Sequence, residues 1–287
     1  MLEEKRIYVV IGSTSDVGSV VAAELESRGH VVRRVARSLG VSFDDTEALS
    51  QVFAGADGAY LMIPFDKQAP DLHERERQVG ERLANAVKAA GVQRVVLLSG
   101  LNAHLRKGTS LGAALMEECL NALGVPELVH LRAGFFMENF TKGMGFIAQT
   151  ATGSFSTPFR SDAPMPLIAT KDVGVRAAEL LGDRSFPSAS VQELHGSGDY
   201  TLDEATAILG SALGKPDLAY VQAGFTEARS GMIDGGFSPS FVDAVLETAR
   251  SFNAREPWAL EARSPRNTTP TTLPQWASQA LVEAARV

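Results

Sequence analysis

The chain has 287 residues and a mass of 30.6 kDa, with 45% hydrophobic and 21% charged residues. At roughly 150 residues per domain this is enough for one large core or two smaller ones, and global disorder is excluded. A formal net charge of -7 repels a phosphate backbone, so no nucleic-acid partner is expected. The single cysteine, Cys119, can form no intrachain disulfide, and a reducing cytoplasm is the expected location.

The opening Met1-Leu2-Glu3-Glu4-Lys5-Arg6 leads into a short apolar run, briefer than the about 7 to 15 residues of a secretory signal core. Charges or turn residues interrupt every apolar stretch before the roughly 20 residues of a membrane span. Short β-branched runs follow at Ile7-Ile11, Val31-Val35, Ala59-Ile63, Val95-Leu98 and Leu128-Leu131, separated by segments of helical spacing. The runs are apolar almost throughout instead of alternating, which predicts parallel strands covered by helices on both faces. Gly29, Gly91 and Gly124 each follow a helical segment and suit its left-handed C-terminal position.

After Gly134 the alternation fades into a loop-rich stretch, Gly153 to Pro166. A helix at Lys171-Leu181, a strand at Val191-Leu194, a helix start at Thr201 and further helices near 224-232, 238-253 and 273-285 follow. Thr201 and Glu204 have the spacing of a capping box. The expected fold is therefore α/β, a Rossmann-type doubly wound parallel sheet. Residues 1-153 form its dinucleotide-binding core, and 154-287 form a smaller, dependent substrate region that returns a strand and a helix to that core.

Strand one runs into Gly12-Ser13-Thr14-Ser15-Asp16-Val17-Gly18, the strand-turn-helix setting of a dinucleotide fingerprint. Gly12 suits the tight turn, and Gly18 suits close packing of the helix on the sheet. Ser15 stands where a glycine usually lets the phosphate approach. The end of strand two reads Val32-Arg33-Arg34-Val35-Ala36-Arg37, with no carboxylate for a ribose 2′-hydroxyl. Arg37, with Arg34 as second choice, is expected to meet a 2′-phosphate, so the cofactor is read as NADP(H).

These residues resemble the NmrA-like family, an atypical branch of the short-chain dehydrogenase/reductase superfamily. The similar stretches are Val9-Gly12 with Gly18, Gly29 to Arg37, Gly55-Leu61, Ala90-Ser99, Leu131-Phe140 and Pro166-Gly174. Phe136-Met137-Glu138-Asn139 is the most specific of them. The resemblance implies NADP(H) in a cleft between the core and the C-terminal region. Relatives include quinone and azo-dye reductases and NADPH sensors without known catalysis. It places Gly12, Thr14, Val17 and Gly18 along the diphosphate, and Ile63, Pro64 and Phe65 beside the adenosine and ribose. Ser99, Gly134 and Phe135 fall near the nicotinamide. By their own chemistry Phe135, Phe136, Met137 and Phe140 read either as an apolar wall for a small apolar or aromatic substrate, with Asn139 beside it, or as core packing for two of them. Two departures stand out: Ser42 where the family often has Asp, and Ala113 where it often has an active-site Lys or His.

The Tyr-x-x-x-Lys pair of ordinary short-chain dehydrogenases is missing, since Tyr8, Tyr60, Tyr200 and Tyr220 precede Gly12, Pro64, Glu204 and Gly224 at that spacing. His104 is then the expected proton donor, with water as the alternative, and Asn102 the group orienting a carbonyl. Gly108-Thr109-Ser110-Leu111-Gly112 has the letters of a nucleophile elbow but no strand before it, so Ser110 is expected to cap or enter a helix. Glu74 to Arg77 and Glu117-Glu118 read as solvated helix faces. No metal site is expected from five scattered histidines and one cysteine. The function expected is NADPH-dependent reduction of a quinone, carbonyl, imine or azo compound, with a non-catalytic NADP(H) sensor as alternative; a homodimer is compatible with either.

Overall fold

A computed structural model of the chain describes residues 5-183, 186 and 190-285. Its central sheet begins with β1 (Ile7–Ile11), β2 (Val31–Val35), β3 (Gly58–Leu61), β4 (Arg94–Gly100) and β5 (Glu127–Ala133), and is completed by the strand Ser190–Leu194. The order across the sheet is β2-β1-β3-β4-β5 followed by Ser190–Leu194, and every pairing is parallel. The expected parallel α/β architecture is therefore present, with β4 and β5 running two residues further than their apolar runs.

Alternate side chains of the inner strands enter two separate cores, which is why their runs are apolar on both faces; edge strand β2 carries Arg33 and Arg34. Val9, Ile11, Ala59, Leu61, Val95 and Leu97 pack on one face, under α2 (Thr46–Phe53), α3 (Leu72–Ala90) and α4 (Leu111–Leu123). Tyr8, Val10, Tyr60, Val96, Val129 and Leu131 pack on the other, under α1 (Asp16–Ser27) and the helix Thr170–Gly182. Each valine, isoleucine or leucine among them removed from water contributes about 1.5 to 3 kcal/mol. α3 and α4 end on Gly91 and Gly124 in the left-handed conformation, as their sequences predict.

The C-terminal residues build a third core around Phe140, Phe146, Phe155, Leu202, Leu209, Phe252 and Trp276. Helices Leu202–Ala212 and Pro239–Asn253 lie where expected, the first with its full capping box from Thr201 and Glu204. Two strands, Ser154–Thr157 and Met165–Ile168, occupy the stretch read as loop. They pair in small satellite sheets, the second with Pro166 opposite Asp199. Their brevity and the proline hid them. The terminal helix is continuous only in outline, because Ala277–Leu281 forms a wide π turn inside it. Among the described residues no helix is long and apolar enough to cross a membrane.

Candidate active site

From β1 the chain moves outward to β2, then crosses back to β3 on the other side of β1. The carboxyl ends of β1 and β3 thus flank a crevice, the position at which open α/β sheets bind ligands. A cavity of about 320 Å³ lies there. Its walls come from Ser15, Asp16 and Val17 after β1, Met62, Ile63 and Phe65 after β3, Leu98 to Asn102 at the end of β4, and Ala133 to Phe136 at the end of β5. Glu76, Ser110, Ala113, Asn139 and Trp258 also line it.

The turn after β1 is built as its glycines require. Gly12 has φ +69°, and a Cβ on Gly18 would stand 2.2 Å from the Gly12 carbonyl oxygen. Ser15, in place of the middle glycine, is the N-cap of α1, and its hydroxyl accepts the Gly18 amide at 3.1 Å. The amides of Asp16 and Val17 remain as the orphan donors of the first turn, beside the cavity. Asp16 itself is paired with Lys142 of the short helix Asn139–Lys142. Thr14 is exposed and accepts a hydrogen bond from Ser38 at 3.3 Å.

The two arginines of β2 and its end differ. Arg34 is held by Glu26 of α1 through bonds of 2.9 and 2.7 Å, so it is engaged away from the crevice. Arg37 is exposed, in the turn after β2, and its side chain makes no hydrogen bond or ion pair among the described residues.

At the other end, Ser99 donates to Glu117 at 2.6 Å, and Glu117 also receives Arg132 at 2.9 and 2.6 Å. Burial works to raise the Glu117 carboxyl, but the bonds from Arg132 and Ser99 outweigh it and hold the group below the ordinary carboxylate range. Asn102 accepts from Ser110 at 2.6 Å, and its Nδ2 is buried with no partner among the described residues while the residue lines the cavity. A free amide donor in that position can take a carbonyl or carboxamide oxygen.

Several expected site residues stand elsewhere. His104 does not line the cavity; its Nε2 meets the Pro257 carbonyl at 2.9 Å, which fixes that nitrogen as donor and the ring as a prop for the segment carrying Trp258. Met137 is fully buried in the C-terminal core, so the apolar wall is Phe135 and Phe136 without it. Pro64 follows Ile63 outside the lining. Ser110 holds the N-cap position of α4 without capping it, its hydroxyl being given to Asn102. Ala113, where relatives often have a basic residue, does line the cavity.

Glu76 and Glu117 correct the reading of solvated helix faces, for both are buried. Glu76 Oε2 meets His73 Nδ1 at 2.8 Å, and the residue lines the cavity. Their exposed sequence neighbours, Arg77 and Glu118, concealed them. The available signal was the helical period, which puts Glu76 on the same face of α3 as Leu72, Val79, Gly80 and Leu83.

The model of the NmrA-like family matches residues 3-255. The chain belongs to the NmrA-like family. Similar solved structures include an NADPH-dependent quinone oxidoreductase from Escherichia coli complexed with NADPH, with 21% identity, 96% of this chain and 99% of that one covered, and a TM-score of 0.74. A triphenylmethane reductase from Citrobacter sp. shares 18% identity over 96% and 99% of the two chains, with a TM-score of 0.73. NmrA, a negative transcriptional regulator in complex with NAD, shares 17% over 99% and 98%, with a TM-score of 0.74. Among curated proteins no sequence match is found. At these identities the structural likeness establishes the shared fold, and the family model establishes membership.

Proposed function

We propose that this NmrA-like protein binds NADP(H) across the carboxyl ends of β1, β3 and β4 and uses it to reduce a small apolar quinone, carbonyl, imine or azo compound. The observation that carries this is the cavity itself. It has the free amides of a helix N-terminus at one end, and at the other an apolar wall of Phe135, Phe136 and Trp258 around the unpartnered Asn102 amide. The site residues fit the cofactor: Gly12 and Gly18 permit the close turn, Asp16 and Val17 amides face a diphosphate, and Arg37 is available for a 2′-phosphate. The fold is shared with structures solved with NADPH and with NAD.

Bound NADPH would supply a hydride. The protein's own part is to hold the acceptor against the apolar wall, orient its oxygen on Asn102 Nδ2, and exclude water. Calorimetric titration with NADPH and NADH, followed by an assay of NADPH oxidation with quinones, aromatic aldehydes and azo dyes, tests the reading. NADPH preference and turnover without flavin or metal are expected.

The sensor reading has one observation in its favour: among the described residues no His, Lys, Arg, Tyr or Cys lines the cavity. Tight NADPH binding that changes conformation, with no oxidation across the panel, would select it.

A further inference from the structure

Among the described residues only two ionisable side chains line the cavity, Asp16 and Glu76. Asp16 stands at the helix N-terminus and is paired with Lys142. Glu76 is on α3, lining the same space as Ile63, Phe65 and Ala113. Its Oε2 meets His73 Nδ1 at 2.8 Å, and no hydrogen bond to Oε1 occurs among the described residues. The Glu76 side chain is 1% exposed and that of His73 28%, so the pair leads from the cavity to solvent.

The neighbouring helix makes room for this carboxyl. A Cβ on Gly112 of α4 would stand 2.4 Å from both Cδ and Oε2 of Glu76. The last glycine of the Gly108 to Gly112 motif therefore serves the carboxyl, while the motif's serine holds Asn102. Resting on the reductase reading above, we propose that Glu76 is the proton donor of the reduction and that His73 returns the proton to it from solvent.

Burial raises the Glu76 carboxyl above its ordinary range, against the opposing bond from His73. The bond to Glu76 raises His73 in turn, aided by Asp71 on the turn before α3 and Glu247 on helix Pro239–Asn253. Together they hold a proton to higher pH than either would in water. Glu74 and Arg77 on the same helix pair with each other on its exposed side, and α4 presents Gly112 to the carboxyl.

The step balances. A carbonyl or quinone that accepts hydride from NADPH gains two electrons and one hydrogen, leaving a negative oxygen and NADP⁺. The Glu76 O–H bond breaks and an O–H bond forms on that oxygen. The carboxylate then takes the Nδ1 proton of His73, and solvent reprotonates the ring.

Two measurements test this. In the cofactor-free protein, the Glu76 Cδ resonance is followed against pH by carbon-13 NMR and assigned by its loss in Glu76→Gln. A midpoint above the ordinary value of about 4.3 is expected; an ordinary midpoint overturns the proposal. With NADPH and an acceptor the wild type reduces, Glu76→Gln should lower kcat about 10² to 10⁴-fold and leave NADPH affinity unchanged. Glu76→Asp should regain part of the rate and the loss of rate at high pH, and it carries both measurements if the glutamine variant does not fold. An unchanged kcat in these variants overturns the proposal and leaves the reductase standing. A wild type that binds NADPH but reduces no acceptor overturns both.

Discussion

Arg132 on β5 delivers two hydrogen bonds, at 2.9 and 2.6 Å, to the carboxylate of Glu117 on α4, and that carboxylate also accepts Ser99 from β4. Strand and helix are thus joined by charge directly behind the cavity. Both side chains are about nine-tenths buried, so removing one charge strands the other. Glu117→Gln should cost about 3 to 5 kcal/mol, toward the lower end because Glu193 also lies near Arg132.

The same substitution has a defined pH signature. Glu117 is held below its unfolded value, so the wild type's advantage is complete above the unfolded carboxylate range and fades as pH falls through the folded value. Urea denaturation of both proteins from neutral to acid pH checks this; a constant difference would contradict the assigned ion pair.

Cofactor choice should depend on Arg37 alone. A charged hydrogen bond to a 2′-phosphate contributes about 1.5 to 3 kcal/mol, so Arg37→Ala should weaken NADPH by roughly 10- to 100-fold and leave NADH unaffected. Arg34→Ala should preserve the preference, since Arg34 is engaged by Glu26. Calorimetry with both cofactors decides it, and retention of NADPH preference in Arg37→Ala would exclude the assigned role.

Two glycine substitutions should have opposite signs. In Gly18→Ala the new methyl meets the Gly12 carbonyl oxygen at 2.2 Å, which is backbone and cannot yield cheaply, so a loss of at least about 1 to 3 kcal/mol and of dinucleotide binding is expected. Gly231→Ala, on helix Phe225–Asp234 with nothing within 4 Å, should stabilise by roughly 0.5 to 1 kcal/mol. Thermal melts of the two variants provide the comparison.

His104→Ala should cost about 1 kcal/mol of stability through the lost bond to Pro257 and change turnover less than the Glu76 variants do. A rate loss as large as that of Glu76→Gln, at unchanged stability, would return His104 to the chemistry.

Ser110 should not react with a fluorophosphonate. Its hydroxyl is given to the Asn102 carbonyl oxygen at 2.6 Å, and no base activates it among the described residues. Intact mass after incubation reads the outcome, and stoichiometric labelling at Ser110 would contradict this geometry.

The main sheet was legible because its information is local. The inner strands each carry an apolar run, and Gly91 and Gly124 end their helices in the conformation only glycine adopts readily. The phosphate turn was legible for the same reason, down to Gly12 and Gly18. Glu117 was not, because the residues that make its burial tolerable, Ser99 and Arg132, come from two other strands. Nor was His104, whose neighbour Pro257 is 153 positions away. Charge runs such as Glu74 to Arg77 conceal one inward member among outward ones, and only the helical period separates them.

The pairing of Asp16 with Lys142 changes what an incoming dinucleotide meets. Asp16 occupies the first turn of α1, where a bare carboxylate would repel a diphosphate at the point of entry. Lys142, 126 positions further along the chain, neutralises it. The attraction of the binding turn for an anion is therefore set in part by a residue far beyond it in the chain. Replacing Lys142 would therefore bare the acid at the mouth of the cleft, while dissolved salt, which screens the exposed pair and the acid's repulsion alike, would narrow the difference.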